Sequence, residues 1–195
     1  MDKSGHRLKI GILGGTFDPV HLGHLVLAET ARSRLGLDKV LFIPVSQPPH
    51  KRRPDITDAE KRCAMLRCAI NGNKRFSVSR IEIDRKGVSY SVETLRSLRA
   101  RYPSARLYFI AGSDALAELK KWKHIDEIYS LCSFVIAPRP GFPLRSLPDR
   151  AKLLPEGFLD ISSSAVRAAL RRGDSVRYLV PETVCRFICR YKLYR

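Results

Sequence analysis

Two histidines three residues apart, His21 and His24, follow a glycine pair, Gly14-Gly15, and the combination suits phosphate binding. Residues three apart on a helix share a face, so both imidazoles would stand in a first helical turn beside main-chain N–H groups that have no partner within the helix. The helix dipole adds its own attraction for negative charge there. Gly14 and Gly15 allow a ligand close to the backbone because no Cβ intervenes. A second candidate is Ile161-Ser162-Ser163-Ser164-Ala165-Val166-Arg167. Serines at a helix start offer hydroxyls and free N–H groups, and Arg167 falls on the same face as Ser164. A guanidinium can give a phosphate two bonds at once.

Each stretch also has a plainer reading. The histidines could be a structural pair or half of a zinc site, and the serine segment could be a capped amphipathic helix closing at Gly173. The P-loop pattern G-x-x-x-x-G-K-[ST] and the dinucleotide pattern G-x-G-x-x-G are both missing.

The elements that must carry these residues read as α/β. Leu8 to Leu13 is an unbroken apolar run, as for a strand covered on both faces, and Leu22 to Leu35 is a helix closed by Gly36, with Leu22, Leu25, Val26, Ala28 and Leu35 as its apolar stripe. Val40 to Val45 is the next strand, which makes a right-handed β-α-β unit. Ser46 to Lys51 is a proline-stiffened loop presenting His50 and Lys51. Thr57 and Glu60 form a capping box for a helix reaching about Asn71-Gly72, and Phe76 to Ile83 alternates as a strand. A helix begins around Ser89 to Leu95 and ends near Tyr102-Pro103, with an N-cap at Ser89 or Ser91 as the plain alternative role for those serines. Leu107 to Ala111 and Ser133 to Ala137 are buried strands, the first followed by Gly112-Ser113-Asp114 and a helix, the second by Pro138-Arg139-Pro140-Gly141. Phe142 to Pro155 reads only as a connection, and Pro181 opens a last helix with Val184, Phe187, Ile188 and Tyr191 on its buried face. Five strands alternating with helices predict a doubly wound, mostly parallel sheet with a cleft at the strand ends. Residues 1–195 are expected to form a single domain, with 156–195 as a helical part bearing the second motif.

Composition narrows the class of protein. A chain of 195 residues with 44% hydrophobic residues can bury a full core, and a formal charge of +17 announces anionic partners. The cations are scattered without aromatic interleaving, which argues against nucleic acid as the primary partner and for small phosphorylated molecules. Five cysteines form no C-x-x-C pair and read as reduced core residues; with no signal peptide or transmembrane run, a soluble cytoplasmic protein is expected.

The wording Gly-Gly-Thr-Phe-Asp-Pro-Val-His-Leu-Gly-His-Leu is more specific than its spacing. It resembles the nucleotidyltransferase superfamily with the signature [TS]-F-D-x-x-H-x-G-H, and most closely the bacterial nicotinate-nucleotide adenylyltransferases. Residues 161–167 match the superfamily's I-S-S-T-x-I-R apart from Ser164 and Val166, and Ser89 to Leu95 matches the family's Ser-Tyr-Thr-x-[DE]-Thr-Leu apart from Ser91. Gly-x-Asp at Gly112 and Asp114 and Arg-Pro-Gly at Arg139 also agree, and the resemblance covers nearly the whole chain.

The resemblance implies transfer of AMP from ATP to nicotinate mononucleotide, with Mg²⁺ arriving on ATP and no metal site of the protein's own. Gly14, Gly15, Thr16, Phe17, Asp114, Arg139, Ser163 and Ser164 would hold ATP. His21, His24, Arg167 and Lys51 would act on its phosphates, while Tyr90, Ser91, Gly112 and Trp122 would hold the mononucleotide. The acid-versus-amide preference and a homo-oligomeric state stay open. A pantetheine-phosphate or cytidylyl transferase would share the first and last motifs without the Ser-Tyr-Ser, Trp122 and Arg-Pro-Gly segments together. A basic nucleic-acid-binding protein on the same scaffold would release no pyrophosphate.

Overall fold

The computed structural model describes residues 6–48, 55–144, 146–154 and 159–195. The apolar run after Lys9 forms strand β1 (Lys9–Gly15), and its side chains alternate between two cores with the period of an extended chain. Leu13 joins a cluster with Phe42, Leu27, Ala28, Met65, Val166 and Val184, while Ile10 and Ile12 join Leu41, Leu95, Leu107 and Phe134 on the other face. A strand covered on both sides must be apolar throughout, which is why this run shows no polar alternation.

Five more strands lie parallel to it or to its neighbours: β2 (Lys39–Pro44), β3 (Phe76–Val78), β4 (Arg106–Gly112), β5 (Ser133–Ala137) and β6 (Ala151–Leu153). Their order is β3-β2-β1-β4-β5-β6. The chain works outward from β1 in one direction and then returns to its other side with β4. Neighbouring connections therefore leave to opposite faces between β1 and β4, and a crevice opens at their carboxyl ends. Leu13 pairs with Ile110 across that seam, so Gly14-Gly15 and Gly112 stand side by side at its rim.

The helices are α1 (Leu22–Leu35), α2 (Ala59–Ile70), α3 (Ile81–Arg85), α4 (Ser91–Arg101), α5 (Ile125–Leu131), α6 (Ser163–Arg171) and α7 (Glu182–Arg190), with a 3-10 helix at Ser113–Lys121. Gly36 closes α1 in the left-handed conformation. Helices α1, α2, α6 and α7 supply the first core, and α4 and α5 supply the second. Among the described residues no helix is long and apolar enough to cross a membrane.

Several expectations need correction. Phe76 to Ile83 is not one strand: β3 stops at Val78, and α3 follows, turning Glu82 inward. The alternation of Phe76 and Val78 with Ile81 and Ile83 fits either state, and pairing with β2 reaches only as far as Val78. The cap of α2 is Asp58 rather than Thr57, because the Asp58 carboxylate accepts from the N–H groups of Glu60 and Lys61 at 2.9 and 3.3 Å. Neither Ser89 nor Ser91 caps α4; Tyr90 holds that position with no side-chain bond. The buried line of α1 is Leu27, Ala28 and Ala31. The sixth strand lies in the segment expected to be only a connection. Ala151-Lys152-Leu153 has no strand pattern of its own, and pairing with the exposed edge of β5 makes it extended. Tyr191 is exposed, and Leu193 and Tyr194 pack against the first core instead.

One side chain ties three segments of this rim together. Arg62, with 1% of its surface exposed, donates through Nε to the Thr57 carbonyl (2.8 Å), through Nη1 to Thr16 (2.9 Å) and through Nη2 to Ser46 (3.3 Å). Removing a buried guanidinium orphans all three carbonyls. Arg62→Met is expected to lower unfolding free energy by about 3–5 kcal/mol, read as a lower denaturant midpoint.

Candidate active site

A cleft of about 700 Å³ opens at the carboxyl ends of β1 and β4. It is lined by Gly14, Gly15, Thr16, Phe17, His21, His24, Tyr90, Ser91, Gly112, Asp114, Trp122, Arg139, Ser163, Ser164 and Arg167. These are all of the residues singled out from the sequence except Lys51, which, like His50, lies outside the described residues.

The first wall is the end of β1 and the start of α1. Gly14 is exposed at the rim, where an added Cβ would meet nothing within 4 Å, and an added Cβ on Gly15 would approach the Phe17 ring at 3.0 Å. The sharp turn itself falls at Phe17, whose φ of 50° lies in the left-handed region. Its ring is buried, 4.9 Å from the His24 ring and edge-on to it. Phe17 therefore acts as a buttress for His24, and only its backbone can reach a ligand.

His21 is the N-cap of α1. Its backbone N–H donates to His24 Nδ1 at 3.2 Å, which leaves the proton of a neutral His24 on Nε2. The two rings stack with centroids 3.7 Å apart, and Gly23 makes room: a Cβ there would come within 3.0 Å of His21 Nδ1. His21 Nδ1 is buried with no hydrogen-bond partner among the described residues. Burial, and then the positive charge of Arg139, pull the His21 pKa down to about 3. Burial also lowers that of His24, with His21 and Arg139 adding to the effect. The pair is thus neutral at pH 7, and each ring can give one N–H to an anion.

The second wall is the start of α6. Ser162 is its N-cap, its hydroxyl accepting from the Ala165 N–H at 3.1 Å and lying 3.1 Å from the Ser164 hydroxyl. The Ser163 hydroxyl donates to the Pro19 carbonyl at 2.9 Å, and Arg167 Nη1 donates to the Asp18 carbonyl at 2.6 Å. Both bonds join this helix to the loop before α1, so the two motifs face one space. Ser163 is consequently a tether through its hydroxyl, with its N–H left among those at the helix start that have no intrahelical partner.

The third wall is built from the loops after β4 and β5. Arg139 Nη1 pairs with Asp114 Oδ2 at 2.7 Å, and Ser113 joins the two loops by accepting from the Arg139 N–H (2.9 Å) and donating to the Phe142 carbonyl (2.8 Å). Gly112 gives Asp114 its place, since a Cβ there would collide with Asp114 Oδ1. Trp122 packs edge-on against Phe109 and Phe134, with centroids at 5.7 and 5.9 Å. It is both a partly buried core residue and part of the cleft wall.

Sequence reasoning passed over Glu82, Thr94 and Ser113. Glu82 is buried beneath the Ser89-Tyr90-Ser91 turn, accepting from the Thr94 hydroxyl at 2.6 Å, and burial raises its pKa despite that bond. The misassigned strand concealed it. Arg62 and Asp18 were also missed as supports, because a lone buried charge leaves no periodic signal.

A parallel sheet in which two helix starts converge on one cleft is an architecture shared by nucleotidyltransferases. The model of the cytidylyltransferase-like family matches residues 12–169. Curated relatives named "Probable nicotinate-nucleotide adenylyltransferase" include those of Moorella thermoacetica (44% identical over 96% of this chain and 92% of that protein) and Tropheryma whipplei (46%, 94% and 98%). A solved structure of the Plasmodium falciparum nicotinic acid mononucleotide adenylyltransferase complexed with NaAD has the same fold, with a TM-score of 0.80 at 19% identity over 97% of this chain and 98% of that one. The chain belongs to the cytidylyltransferase-like family and, within it, to the nicotinate-nucleotide adenylyltransferases.

The histidine geometry makes two outcomes testable. Gly23→Ala should cut turnover at least about tenfold by displacing the His21 ring, and should lower stability by about 1–3 kcal/mol because that buried ring and the Leu159 carbonyl crowd the new methyl group. Below pH 6.5 the unfolded chain protonates both histidines and the folded chain does not, so stability should fall as pH drops from 6.5 toward 3. Chemical denaturation across that range checks the slope, and ring ¹⁵N shifts should keep both imidazoles neutral at pH 5.

Proposed function

We propose that this protein transfers the adenylyl group of ATP to nicotinate mononucleotide, releasing pyrophosphate. The observation that carries the reading is the bond from Arg167 to the Asp18 carbonyl, which unites the Arg167 helix with the histidine-bearing loop on one cleft. Relatives about 44% identical along nearly their whole length carry this activity in their names.

The mononucleotide phosphate is mostly ionised at neutral pH, its second pKa being about 6, so it attacks the α-phosphorus with no general base. Its oxygen forms the new bond as the bond to the β-phosphate breaks, and both electrons of that bond leave with pyrophosphate. The protein's part is to align the two phosphates and to balance charge as it moves toward the leaving group. His24 gives its Nε2–H, and His21 one ring N–H, to the phosphates. The unpaired N–H groups of Ser163 and Ser164, the Ser164 hydroxyl and the Arg167 guanidinium meet the β and γ groups. Lys51, which follows β2 in the sequence, assists them.

Gly14, Gly15, Thr16 and the Phe17 backbone hold the nucleotide against β1, beside Arg139 and its partner Asp114. Tyr90, Ser91 and Trp122 bound the mononucleotide end, with Gly112 at the junction beside Asp114, and the indole offers a π-face to the pyridinium ring. Mg²⁺ fits as a passenger on ATP, where it shields phosphate charge. In support, Asp114 is paired with Arg139, Glu82 is bound to Thr94, and Asp18 accepts from Tyr194. Free thiols at all five cysteines agree with a reducing, cytoplasmic setting.

The direct check is pyrophosphate release with ATP and either nicotinate mononucleotide or its amide. The acid should be the better substrate, and absence of release with both would overturn the reading. His21→Ala and His24→Ala should each lower kcat by about 10²-fold or more while circular dichroism stays unchanged.

A further inference from the structure

The loop bearing Asp18 is held from one more direction, by a residue far from both motifs. The Tyr194 hydroxyl donates to Asp18 Oδ1 at 2.7 Å, across 176 positions of sequence. Asp18 is buried, with 1% of its surface exposed, and its own carbonyl is the acceptor for Arg167 Nη1. One residue therefore receives Tyr194 on its side chain and Arg167 on its backbone. Arg62 and Thr57 also stand around this contact, Arg62 acting on Asp18 and Tyr194 through its charge and Thr57 bonding to Tyr194.

The backbone goes out of its way to reach this contact. After α7, Lys192 and Tyr194 adopt φ of 50° and 65°, left-handed values that L side chains rarely take. The Tyr194 ring packs against the first core, a job phenylalanine would do equally well. Its hydroxyl is what phenylalanine lacks, and that hydroxyl is bound to Asp18. Burial raises the Tyr194 pKa, so the hydroxyl remains a donor throughout the working pH range.

We propose that Tyr194 is a positioning residue for the triphosphate half of the cleft: it holds the Asp18 carboxylate, Asp18 thereby holds Arg167, and Arg167 is set for the β and γ phosphates. This rests on the adenylyl-transfer reading of the cleft. Tyr90 and Trp122 of the mononucleotide half pack with the second core, whereas Tyr194 packs with the first. A defect here must therefore fall on ATP and spare the other substrate, whereas a general loss of structure would fall on both.

The experiment compares the full-length wild type with Tyr194→Phe, Asp18→Asn and the double variant. Steady-state KM is measured for each substrate, and a non-hydrolysable ATP analogue is titrated calorimetrically. Loss of a hydrogen bond to a charged group should weaken analogue binding by about tenfold and raise the KM for ATP alike. The KM for nicotinate mononucleotide should change less than about twofold, and the double variant should lose less than the sum of the two single losses, since the amide left by Asp18→Asn can accept only a weaker, uncharged bond from Tyr194. Should Tyr194→Phe fold poorly, Asp18→Asn removes the same acceptor charge from the other side and must show the same division between substrates. Unchanged analogue binding in Tyr194→Phe, equal losses for both substrates, or additive effects in the double variant would each overturn the proposal. A wild type that binds the analogue but forms no product would instead count against the adenylyl-transfer reading, and the binding comparison would still decide the role of Tyr194.

Discussion

The structure depends on the capture of the segment Thr16 to Pro19, at Thr16, Asp18 and Pro19, by side chains from elsewhere in the chain. Arg62 bonds the Thr16 carbonyl, Arg167 the Asp18 carbonyl, Ser163 the Pro19 carbonyl, and Tyr194 the Asp18 carboxylate. A turn leaving a buried strand exposes carbonyls that neither sheet nor helix can satisfy. Here α2, α6 and the segment after α7 satisfy them. The same bonds bring the start of α6 over the start of α1, so satisfying the backbone and assembling the cleft are one event.

The electrostatics of the cleft stem from that enclosure. Two stacked imidazoles beside Arg139 are kept neutral by burial and by the neighbouring positive charge. They remain hydrogen-bond donors without adding two more cations to a strongly basic chain. A polyanion entering the cleft would reverse the local balance and favour protonation of the pair. The cost of keeping the rings close is met partly by Gly23, whose missing side chain leaves room for the His21 ring.

The site was legible in the sequence to an unusual degree, and for a physical reason. Phosphate binding by a glycine turn and helix starts uses residues consecutive in the chain, so their types and spacing survive as readable words. Gly14 to His24, Ser162 to Arg167, Gly112 to Asp114 and the Ser89 turn all reach the one cleft. The residues that escaped notice were of another kind. Arg62, Glu82 and Tyr194 act on backbone or side chains far away in sequence, and nothing in their neighbours betrays it. Residues 151–153 became a strand because β5 offered them an edge, and pairing along β2 stops at Val78, before the helix at residues 81–85.

By itself, the sequence determined the alternation of strand and helix, the two motifs that reach the cleft and the family to which they belong, because each is written in local pattern. Only the tertiary structure decided which of their polar atoms are already engaged within the protein. The Ser163 hydroxyl and one nitrogen of Arg167 are spent on carbonyls of the histidine loop, and the Phe17 ring is spent on the core. Those assignments depend on where distant backbone atoms come to rest, and no spacing along the chain records that.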